Sequence, residues 1–344
     1  MALGLPSGLA WESKNLIDPT SFDPDPTQSE GKILVAWYDF TDITQLYQEK
    51  NSISGTQVAS DGDAIGSCIN KCMPASGHPD PIGFFISAIT DGKRPIFKTG
   101  GAGGNSYAEF TAGENMGLVG RSKGTSNNFG GVTTDILSIN TKLDNSNLTI
   151  FIIGEPFDND TDGADEIGFS YFGYNEEFDP PEDATVSFTM ERQDDDDIDA
   201  VWNLGEGPVS PNTINSTNPE IHWSSGKASV ITVATDKFAS SSNTFTNQIE
   251  ANSAQTVFNS RDDNGIPEVL HQDGIASFDH TSAGTNNSSL ISSIAVGGRV
   301  LSDGTIHDSS FEGKIYEVCV FRQTLEESDR SALIAYFMGK YNLT

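Results

Sequence analysis

Carboxylates recur at every second residue at the start of the acidic segment DNDTDGADE. Alternating oxygen ligands can wrap one hard cation, and Gly163 permits the sharp bend that such a loop requires. The twelfth position of the pattern is Phe169 rather than the bidentate glutamate of an EF-hand, so Asp165 or Glu166 would supply the missing oxygen. The predicted Ca²⁺ ligands are Asp158, Asp160, Asp162 and Glu166. The alternative is a solvated acidic connector between strands, because a chain with 49 acidic residues contains such clusters by chance.

A second acidic run, Asp194–Asp197, places carboxylates side by side. Adjacent carboxylates repel one another, and either a cation or full hydration relieves that repulsion. We expect a solvated turn between strands. The alternative is a contact with a basic patch on a partner.

Aromatic residues form the third group that could bind a ligand. They are Tyr171, Tyr174, Trp202 and Trp223. Exposed aromatic rings can stack on the apolar faces of sugars. Trp223 follows a Pro- and Asn-rich loop, so its ring is expected to be exposed and to contribute to a glycan platform. The alternative is that these rings belong to the core, since aromatic residues of strands are usually buried there.

Charge and composition exclude several classes of partner. The formal net charge is -30, which repels phosphate backbones and anionic lipids, so we expect no nucleic-acid partner and no membrane-surface partner. No apolar stretch approaches the length of a membrane span, so no membrane insertion is expected. The amino terminus lacks the basic start and apolar core of a secretory signal. The odd set Cys68, Cys72 and Cys319 predicts free thiols and folding in a reducing cytoplasm.

Apolar runs predict the strands that position these groups. Ile33–Phe40, Leu148–Phe157 and Ile315–Phe321 are nearly continuous in apolar residues and are predicted to be buried strands. Ile167–Tyr174 and Thr185–Met190 alternate in character, and they are predicted to lie next to Leu148–Phe157.

Shorter segments predict two hairpins and one further strand. The first hairpin joins Pro95–Lys98 to Tyr107–Phe110 across a glycine-rich tip. The second joins Phe245–Ile249 to Thr256–Phe258. Leu290–Val296, which two glycines follow, is the further strand.

The chain is predicted to end in a short amphipathic helix. Thr324 is the expected N-cap, with Glu327 completing a capping box. Leu333, Phe337 and Tyr341 follow at four-residue spacing and form one apolar stripe. This stripe requires a surface on which to pack, and the preceding strand is the nearest one.

Residues 1–30 form a separate segment that is rich in proline, and we predict an extended or irregular N-terminal arm. Its apolar residues are Leu3, Leu5, Leu9 and Trp11. The arm either docks these side chains on a partner subunit or lies across the surface of its own domain. Residues 31–344 are predicted to form one domain.

The carboxyl-terminal pattern resembles a known family. F-x-G-x-I-x-E-x-x-x-F is followed by T-L and then by Y-F-x-x-K-Y-N-L. This pattern resembles the close of laminin G-like, concanavalin A-like jelly-roll domains, and GKRPIFKTGGAGGNSYAEF resembles an early hairpin of the same family. The resemblance implies an all-β, antiparallel two-sheet jelly-roll sandwich with a short C-terminal helix. It also implies that the final strand lies next to the first strand of the domain.

Catalytic patterns known on this scaffold are not found in the sequence. The E-x-D-x-E set of jelly-roll glycosidases does not occur on a predicted strand, and Glu220-Ile221-His222 matches the Q-x-H strand of jelly-roll lyases only in part. The sequence also lacks H-E-x-x-H and G-x-S-x-G. We therefore expect a protein that is not an enzyme.

Three hypotheses about function follow. Jelly rolls of this kind recur in virion proteins of tailed bacteriophages, so the first is a virion surface component, either a capsid decoration or a fibre module. It would fold in the host cytoplasm, bind a capsid or tail protein, form a homo-oligomer and attach to a host glycan. The second is an extracellular lectin assisted by calcium, and the third is a polysaccharide hydrolase or lyase.

Overall fold

Strands dominate the described part of the chain, and the one α-helix in that part follows the last strand. The computed structural model describes residues 18–22, 34–50, 55–72, 85–111, 114–121, 127–129, 132–134, 148–157, 166–175, 186–192, 198–204, 212–215, 223, 225–237, 244–251, 269–270, 276–277, 290–298, 310–321 and 325–343. The helix α1 is Glu327–Tyr341. Short 3₁₀ turns occur at Pro19–Phe22, Ile43–Gln45, Asp91–Lys93 and Ala102–Gly104.

One sheet, here called the helix-covered sheet, contains the first and last strands. Its strands are β1 (Leu34–Asp39), β5 (Ile96–Lys98), β6 (Tyr107–Phe110), β10 (Leu148–Pro156), β15 (Ser229–Lys237), β16 (Thr244–Ala251), β17 (Val269–Leu270), β18 (Ala276–Ser277) and β20 (Gly313–Phe321). The order across it is β17-β16-β15-β10-β20-β6-β5, with β1 also paired to β20 and β18 to β16.

The second sheet, here called the opposite sheet, supplies the other layer. Its strands are β2 (Leu46–Tyr47), β3 (Ser67–Ile69), β4 (Phe85–Ala88), β7 (Leu118–Arg121), β11 (Glu166–Asn175), β12 (Val186–Arg192), β13 (Ile198–Leu204), β14 (Asn212–Asn215) and β19 (Leu290–Val296). Their order is β14-β13-β12-β11-β19-β7-β4-β3-β2, and β8 (Asn127–Phe129) and β9 (Val132–Thr134) form a separate hairpin.

The predicted fold class, an all-β two-sheet jelly-roll sandwich with a short C-terminal helix, is confirmed. Every strand pair in the described ranges is antiparallel, as in the pairs β1–β20, β10–β20 and β11–β12. The predicted contact between the first and last strands is also confirmed, because Trp37 pairs with Cys319 and Asp39 with Glu317. The early hairpin forms as expected, with Phe97 opposite Ala108.

Side chains alternate between two apolar layers because successive residues of a strand point to opposite faces. The inter-sheet core contains, among others, Tyr38, Phe110, Ile150, Ile152, Phe169, Trp223, Ile294, Phe311 and Val318. The helix-side core lies on the other face of the helix-covered sheet and contains Trp37, Phe151, Ile153, Tyr316, Cys319, Phe321, Leu333, Phe337 and Tyr341. Strands β1, β10 and β20 are therefore covered on both faces, which explains their continuous apolar sequences.

The helix packs through its predicted stripe, since Leu333, Phe337 and Tyr341 are fully buried. Its predicted beginning is wrong. The N-cap is Glu326, which makes no side-chain capping bond, and Thr324 lies outside the described residues. Arg330 instead donates from Nη1 to the Leu325 carbonyl at 2.5 Å and so satisfies a carbonyl beside the helix start.

One predicted strand neighbourhood is wrong, and one predicted hairpin stays a prediction because part of it lies outside the described residues. Strand β10 pairs with β15 and β20, whereas Ile167–Tyr174 and Thr185–Met190 fall on β11 and β12 of the opposite sheet. The prediction places strands that follow one another in sequence in one sheet, whereas the sandwich divides these strands between its two sheets. In the second predicted hairpin, Phe245–Ile249 lies within β16, and Thr256–Phe258 lies outside the described residues.

Candidate functional site

Trp223 lies between the two sheets at one end of the sandwich. Its ring stacks on Phe311 with centroids 4.9 Å apart and an interplanar angle of 24°. Two glycines make room for it: a Cβ on Gly154 of β10 would lie 2.6 Å from the indole, and one on Gly168 of β11 would lie 2.8 Å from it. The indole nitrogen donates to the Gly154 carbonyl at 3.3 Å. These contacts hold the two layers together at this end.

The predicted exposure of Trp223 is wrong, since the residue is 1% exposed. Its ring fills the gap that the two facing glycines leave, and burial of an indole is favourable once its N–H finds an acceptor. Trp223 therefore forms the base of this end of the sandwich and does not present a platform to a sugar.

Arg192 is the second fixed element at this end. Its guanidinium lies 3.3 Å from a Glu166 carboxylate oxygen and donates to the Trp223 carbonyl at 3.0 Å and to the Ser225 hydroxyl at 2.6 Å. Arg192 and Glu166 are both almost fully buried, so each charge needs the other. Glu166, predicted as a Ca²⁺ ligand, thus has a cationic partner within the fold.

The ends of several strands meet here, and we call this region the Trp223 end. Strand β10 ends at Pro156, whose carbonyl accepts from Gly226 N–H at 2.7 Å. The next residue, Phe157, donates from its N–H to the Glu312 carbonyl at 2.9 Å. Strand β11 begins at Glu166, directly opposite Arg192, the last residue of β12. Arg192 in turn lies opposite the first residue of β13.

Two acidic segments of the sequence therefore connect strands at the same end. Residues 158–165 join β10 to β11, and residues 193–197 join β12 to β13. The predicted ligands Asp158, Asp160 and Asp162 fall in the first connection and lie outside the described residues. Their coordination of Ca²⁺ stays a prediction.

The other predicted glycan residues lie on the opposite sheet. The backbone register places Tyr171 of β11 opposite Phe188 of β12, and Phe188 opposite Trp202 of β13. Tyr174 pairs with Ile291 of β19. The role of these residues in binding stays a prediction.

A second buried polar cluster, here called the helix-side network, links α1 to the sheet. Glu317 of β20 is fully buried, and its carboxylate accepts hydrogen bonds from Lys340 Nζ and from the Tyr341 hydroxyl. Trp37 Nε1 donates to the other oxygen of Glu317 at 2.6 Å. Asp39, opposite Glu317 on β1, lies 3.3 Å from the same Lys340 nitrogen.

Lys71 contacts the same oxygen of Asp39 as Lys340 does. Its Nζ lies 2.9 Å from Asp39 Oδ2 and 3.3 Å from Asp42 Oδ2, and it sits 4.5 Å from the Trp37 ring centroid. The Asn70 side chain accepts from Trp37 N–H at 2.9 Å, so this segment also covers the free edge of β1. Lysines and carboxylates thus alternate along the network.

The two buried carboxylates respond to the network in opposite directions. Burial, followed by the neighbouring Asp39 charge, raises the pKa of Glu317 above its ordinary value even though Lys340 and Tyr341 oppose the change. Burial would also raise the pKa of Asp39, but Lys340 and Lys71 together outweigh it and lower that pKa. Asp39 is therefore the more firmly ionised of the pair.

The amino-terminal arm is described only in part. Pro19–Phe22 forms a 3₁₀ turn that packs on β1, and the Asp18 side chain accepts from Ser21 N–H at 3.2 Å. This turn is the part of the arm that the structure describes, and the extended or irregular conformation of the rest stays a prediction. The predicted docking residues Leu3, Leu5, Leu9 and Trp11 lie outside the described residues.

Sequence reasoning missed Arg192 and the helix-side network. The available signal was a charged residue inside an apolar strand, namely Glu317 in KIYEVCVF and Asp39 in VAWYDF. Such a charge is buried only when it is paired.

Two absences concern the part of the chain that the structure describes. No group of three or more histidine, cysteine or acidic side chains is arranged there to hold a metal ion. Nor is any helix of that part long and apolar enough to cross a membrane.

Comparison with known proteins gives remote structural likenesses. No family model and no curated protein matches the chain. The carbohydrate-binding module CBM40 of a Ruminococcus gnavus sialidase, bound to α2,3-sialyllactose, is 16% identical with a TM-score of 0.33, over 55% of this chain and 81% of that one. Domain 4 of the Geobacillus stearothermophilus arabinanase AbnA, in complex with arabinotriose, is 13% identical with a TM-score of 0.36, over 88% and 98%.

A SAP-like pentraxin from Limulus polyphemus is 12% identical with a TM-score of 0.32, over 55% of this chain and 68% of that one. Each likeness is too distant to identify a ligand. The assignment of this chain to the two-sheet sandwiches rests on its own strand order and on the pairing of its first and last strands.

Proposed function

We propose that this protein is a non-catalytic recognition module that binds a carbohydrate, assisted by Ca²⁺, at the Trp223 end of the sandwich. The observation that supports the proposal is that the four strand ends flanking two acidic connections lie at the same end of the sandwich, beside a rigid base. The chain leaves β10 and enters β11, and leaves β12 and enters β13, at this one end.

The base has the rigidity that a binding site needs. Trp223 is clamped between Gly154 and Gly168, and Arg192 fixes the ends of β11 and β12. Recognition loops act best when they are anchored on such packed elements. The strand ends that flank the acidic connections are thus held in place before any ligand arrives.

The chemistry of the connections favours a hard cation. Residues 158–165 and 193–197 each contribute several carboxylates, and these repel one another without a counter-ion. Ca²⁺ accepts six to eight oxygen ligands in flexible geometry, so sugar hydroxyls can complete its coordination. The cation would also remove the repulsion that an acidic glycan meets on a chain of net charge -30.

A glycan array probed with Ca²⁺ and then with chelator tests this proposal. We expect binding in Ca²⁺, and its loss in chelator and in Asp160→Asn. Glu114→Gln is the matched control, because it also removes one carboxylate charge, but from an exposed side chain that lies 3.8 Å from Lys93 and outside the two acidic connections. Glycan binding that persists in chelator would contradict the role of the cation.

The absence of catalysis is part of the same proposal. The buried carboxylates Asp39, Glu166 and Glu317 each engage a lysine or arginine of the fold. These pairs have structural roles, so the carboxylates are not available for acid–base work on a substrate. Incubation with neutral and acidic polysaccharides should release no new reducing ends and no unsaturated products.

We further propose that the module works on the surface of a virion, where it is anchored to a capsid or tail protein. The three free cysteines are all buried, which suits folding in a reducing host cytoplasm. The strongly acidic surface suits a soluble, outward-facing component. The segment before the docked turn carries the apolar residues that would contact the shell.

Truncation separates the two roles. Removal of residues 2–17 leaves the turn at Pro19–Phe22 and its packing on β1 in place. We expect the truncated protein to keep its Ca²⁺-dependent glycan binding and to lose co-sedimentation with the particle. Its mass in solution reports whether the same segment supports a homo-oligomer. Retention on the particle after truncation would refute the anchoring role.

A further inference from the structure

The helix α1 covers part of the helix-side core. Leu333, Phe337 and Tyr341 are fully buried against the helix-covered sheet, and Cys319 of β20 lies beneath them. Departure of the helix would expose this layer. The contacts that hold the helix in place therefore control access to the Cys319 thiol.

Those contacts place one ammonium group between two buried carboxylates. Asp39 and Glu317 lie directly opposite each other on β1 and β20, and both are at most 2% exposed. Like charges at opposed positions of neighbouring strands are unfavourable. Lys340, in the last turn of α1, contacts both carboxylates and relieves this repulsion only while the helix stays docked.

The charges of the network do not balance. Lys71 and Lys340 supply two positive charges, whereas Asp39, Asp42 and Glu317 supply three negative ones. One proton would bring the network to neutrality. Glu317 is the group that accepts it, because Lys340 is the one cation in the described structure that contacts Glu317, whereas two lysines contact Asp39. Trp37 Nε1 and the Tyr341 hydroxyl also donate to Glu317, and the hydroxyl can turn to accept the proton of a neutral carboxyl.

We infer that Asp39, Glu317 and Lys340 form a proton-responsive latch that holds α1 on the sheet and tightens when it takes up one proton. After uptake the Glu317 carboxyl is neutral, and Lys340 is left as a full partner for Asp39. Loss of the proton restores the excess negative charge beneath the helix and loosens its carboxyl-terminal turn.

The direction of the pH dependence follows from the two carboxyl groups. The pKa of Glu317 is raised by burial and by Asp39, so its contribution to docking is fully present below its unfolded pKa and is lost as pH rises through the folded value. The pKa of Asp39 is lowered, so its contribution is lost only as pH falls below the ordinary range of an aspartate. Docking should be tightest in mild acid.

Other titratable groups face the latch from every neighbouring element. They are Asp18, Asp42, Cys68, Lys71, Cys72, Cys319, Tyr336 and Tyr341. Burial raises the pKa of the Cys319 thiol and of the two tyrosines, and the carboxylates raise that of Lys71 in spite of its burial. Asp42 titrates below its ordinary value. The directions of these pKa shifts keep the charges of Asp42, Lys71, Cys319, Tyr336 and Tyr341 unchanged between mild acid and mild base.

The chain contains its own probe for the test. Cys319 lies in the helix-side core, whereas Cys68 lies in the inter-sheet core, so labelling of Cys68 reports opening of the sandwich and not departure of the helix. Full-length protein is treated with a pyridyl disulfide at about pH 5 and at about pH 8, and each cysteine is quantified by peptide mass spectrometry. The ratio of Cys319 to Cys68 labelling measures local release of the helix, and it cancels the general effect of pH on thiol reactivity.

We expect this ratio to rise with pH in the wild-type protein. In Lys340→Met the two carboxylates lose their shared cation. The labelling ratio at about pH 8 should therefore rise by about tenfold, the change in an equilibrium constant that corresponds to one pKa unit. At about pH 5 the ratio should return toward the wild-type value. Glu317→Gln carries the neutral form at every pH, so its ratio should be low and flat. Lys340→Arg keeps the charge and serves as the matched control.

A wild-type ratio that is flat or falls as pH rises would overturn the latch. So would a Glu317→Gln protein that keeps the wild-type pH dependence. Should Lys340→Met unfold globally, Cys68 labels together with Cys319, and the wild-type and Glu317→Gln ratios then decide the question.

Discussion

The Trp223 end and the helix-side network both bury charge, but they balance it differently. At the Trp223 end, the Arg192 guanidinium forms an ion pair with the Glu166 carboxylate and also donates to the Trp223 carbonyl and the Ser225 hydroxyl. In the helix-side network, Asp39 and Glu317 share the ammonium of Lys340. Arginine suits the first role because its planar fork bonds several acceptors at once, whereas lysine acts as a point charge.

This difference shows how one fold can contain one buried charge cluster that is independent of pH and another that depends on it. The first cluster links strand ends through an ion pair and two hydrogen bonds of Arg192. The second joins a helix to a sheet through an unmatched charge, so its strength depends on protonation. Variants of each region should separate these two behaviours.

The largest expected effect is at Trp223. Trp223→Ala removes the ring that fills the space between Gly154 and Gly168, and it should lower the free energy of unfolding by about 4 kcal/mol. Urea denaturation at neutral pH measures the change. Trp223→Phe, which keeps an aromatic ring but loses the indole N–H donor, is the control and should cost less. An equal loss in both variants would show that the hydrogen bond to Gly154, and not the packing, matters.

Arg192→Met should have the next largest effect. The substitution leaves the buried Glu166 carboxylate without its cation, so we expect the free energy of unfolding to fall by about 3 kcal/mol. Glu166→Gln in the same background should restore part of that loss, because no buried charge is left uncompensated. If the double variant is no more stable than Arg192→Met, the pair is not coupled as the structure indicates.

Glu317→Gln should change how the free energy of unfolding depends on pH more than it changes the maximum of that free energy. The wild-type contribution of Glu317 falls as pH rises above the ordinary glutamate pKa, because the folded pKa is raised. The difference in unfolding free energy between wild type and variant should therefore depend on pH between mild acid and neutrality. Denaturation series at several pH values check this expectation, and parallel curves would argue against it.

The smallest effect is expected at an exposed pair. Lys93 and Glu114 lie 3.8 Å apart, and their side chains are 40% and 53% exposed. Lys93→Met should change the unfolding free energy by less than about 0.5 kcal/mol, since solvent screens such pairs. The same denaturation assay sets the baseline against which the buried clusters are judged.

The sequence predicts the elements of this fold better than their neighbours. The continuous apolar run of β1 and the four-residue spacing of Leu333, Phe337 and Tyr341 are local patterns, and both predictions are confirmed. The neighbours of β10 were predicted wrongly because a sandwich places consecutive strands in different layers. The order of strands in a sheet depends on the whole chain, so the periodicity of a short segment cannot predict that order.

The buried clusters could not be predicted for a related reason. The exposure of Trp223 depends on Gly154 and Gly168, which lie on strands of different sheets. In the helix-side network, Lys340 and Asp39 are 301 residues apart in sequence. A charged residue within an apolar strand indicates that a partner exists, but it does not identify that partner.

Titration calorimetry with Ca²⁺ tests the central claim, a cation-assisted recognition site at the Trp223 end, most directly. The account predicts that Ca²⁺ binds the wild-type protein and Glu317→Gln with equal affinity, and that binding is abolished in Asp160→Asn. Absence of Ca²⁺ binding to the wild-type protein, or unchanged binding to Asp160→Asn, would contradict it.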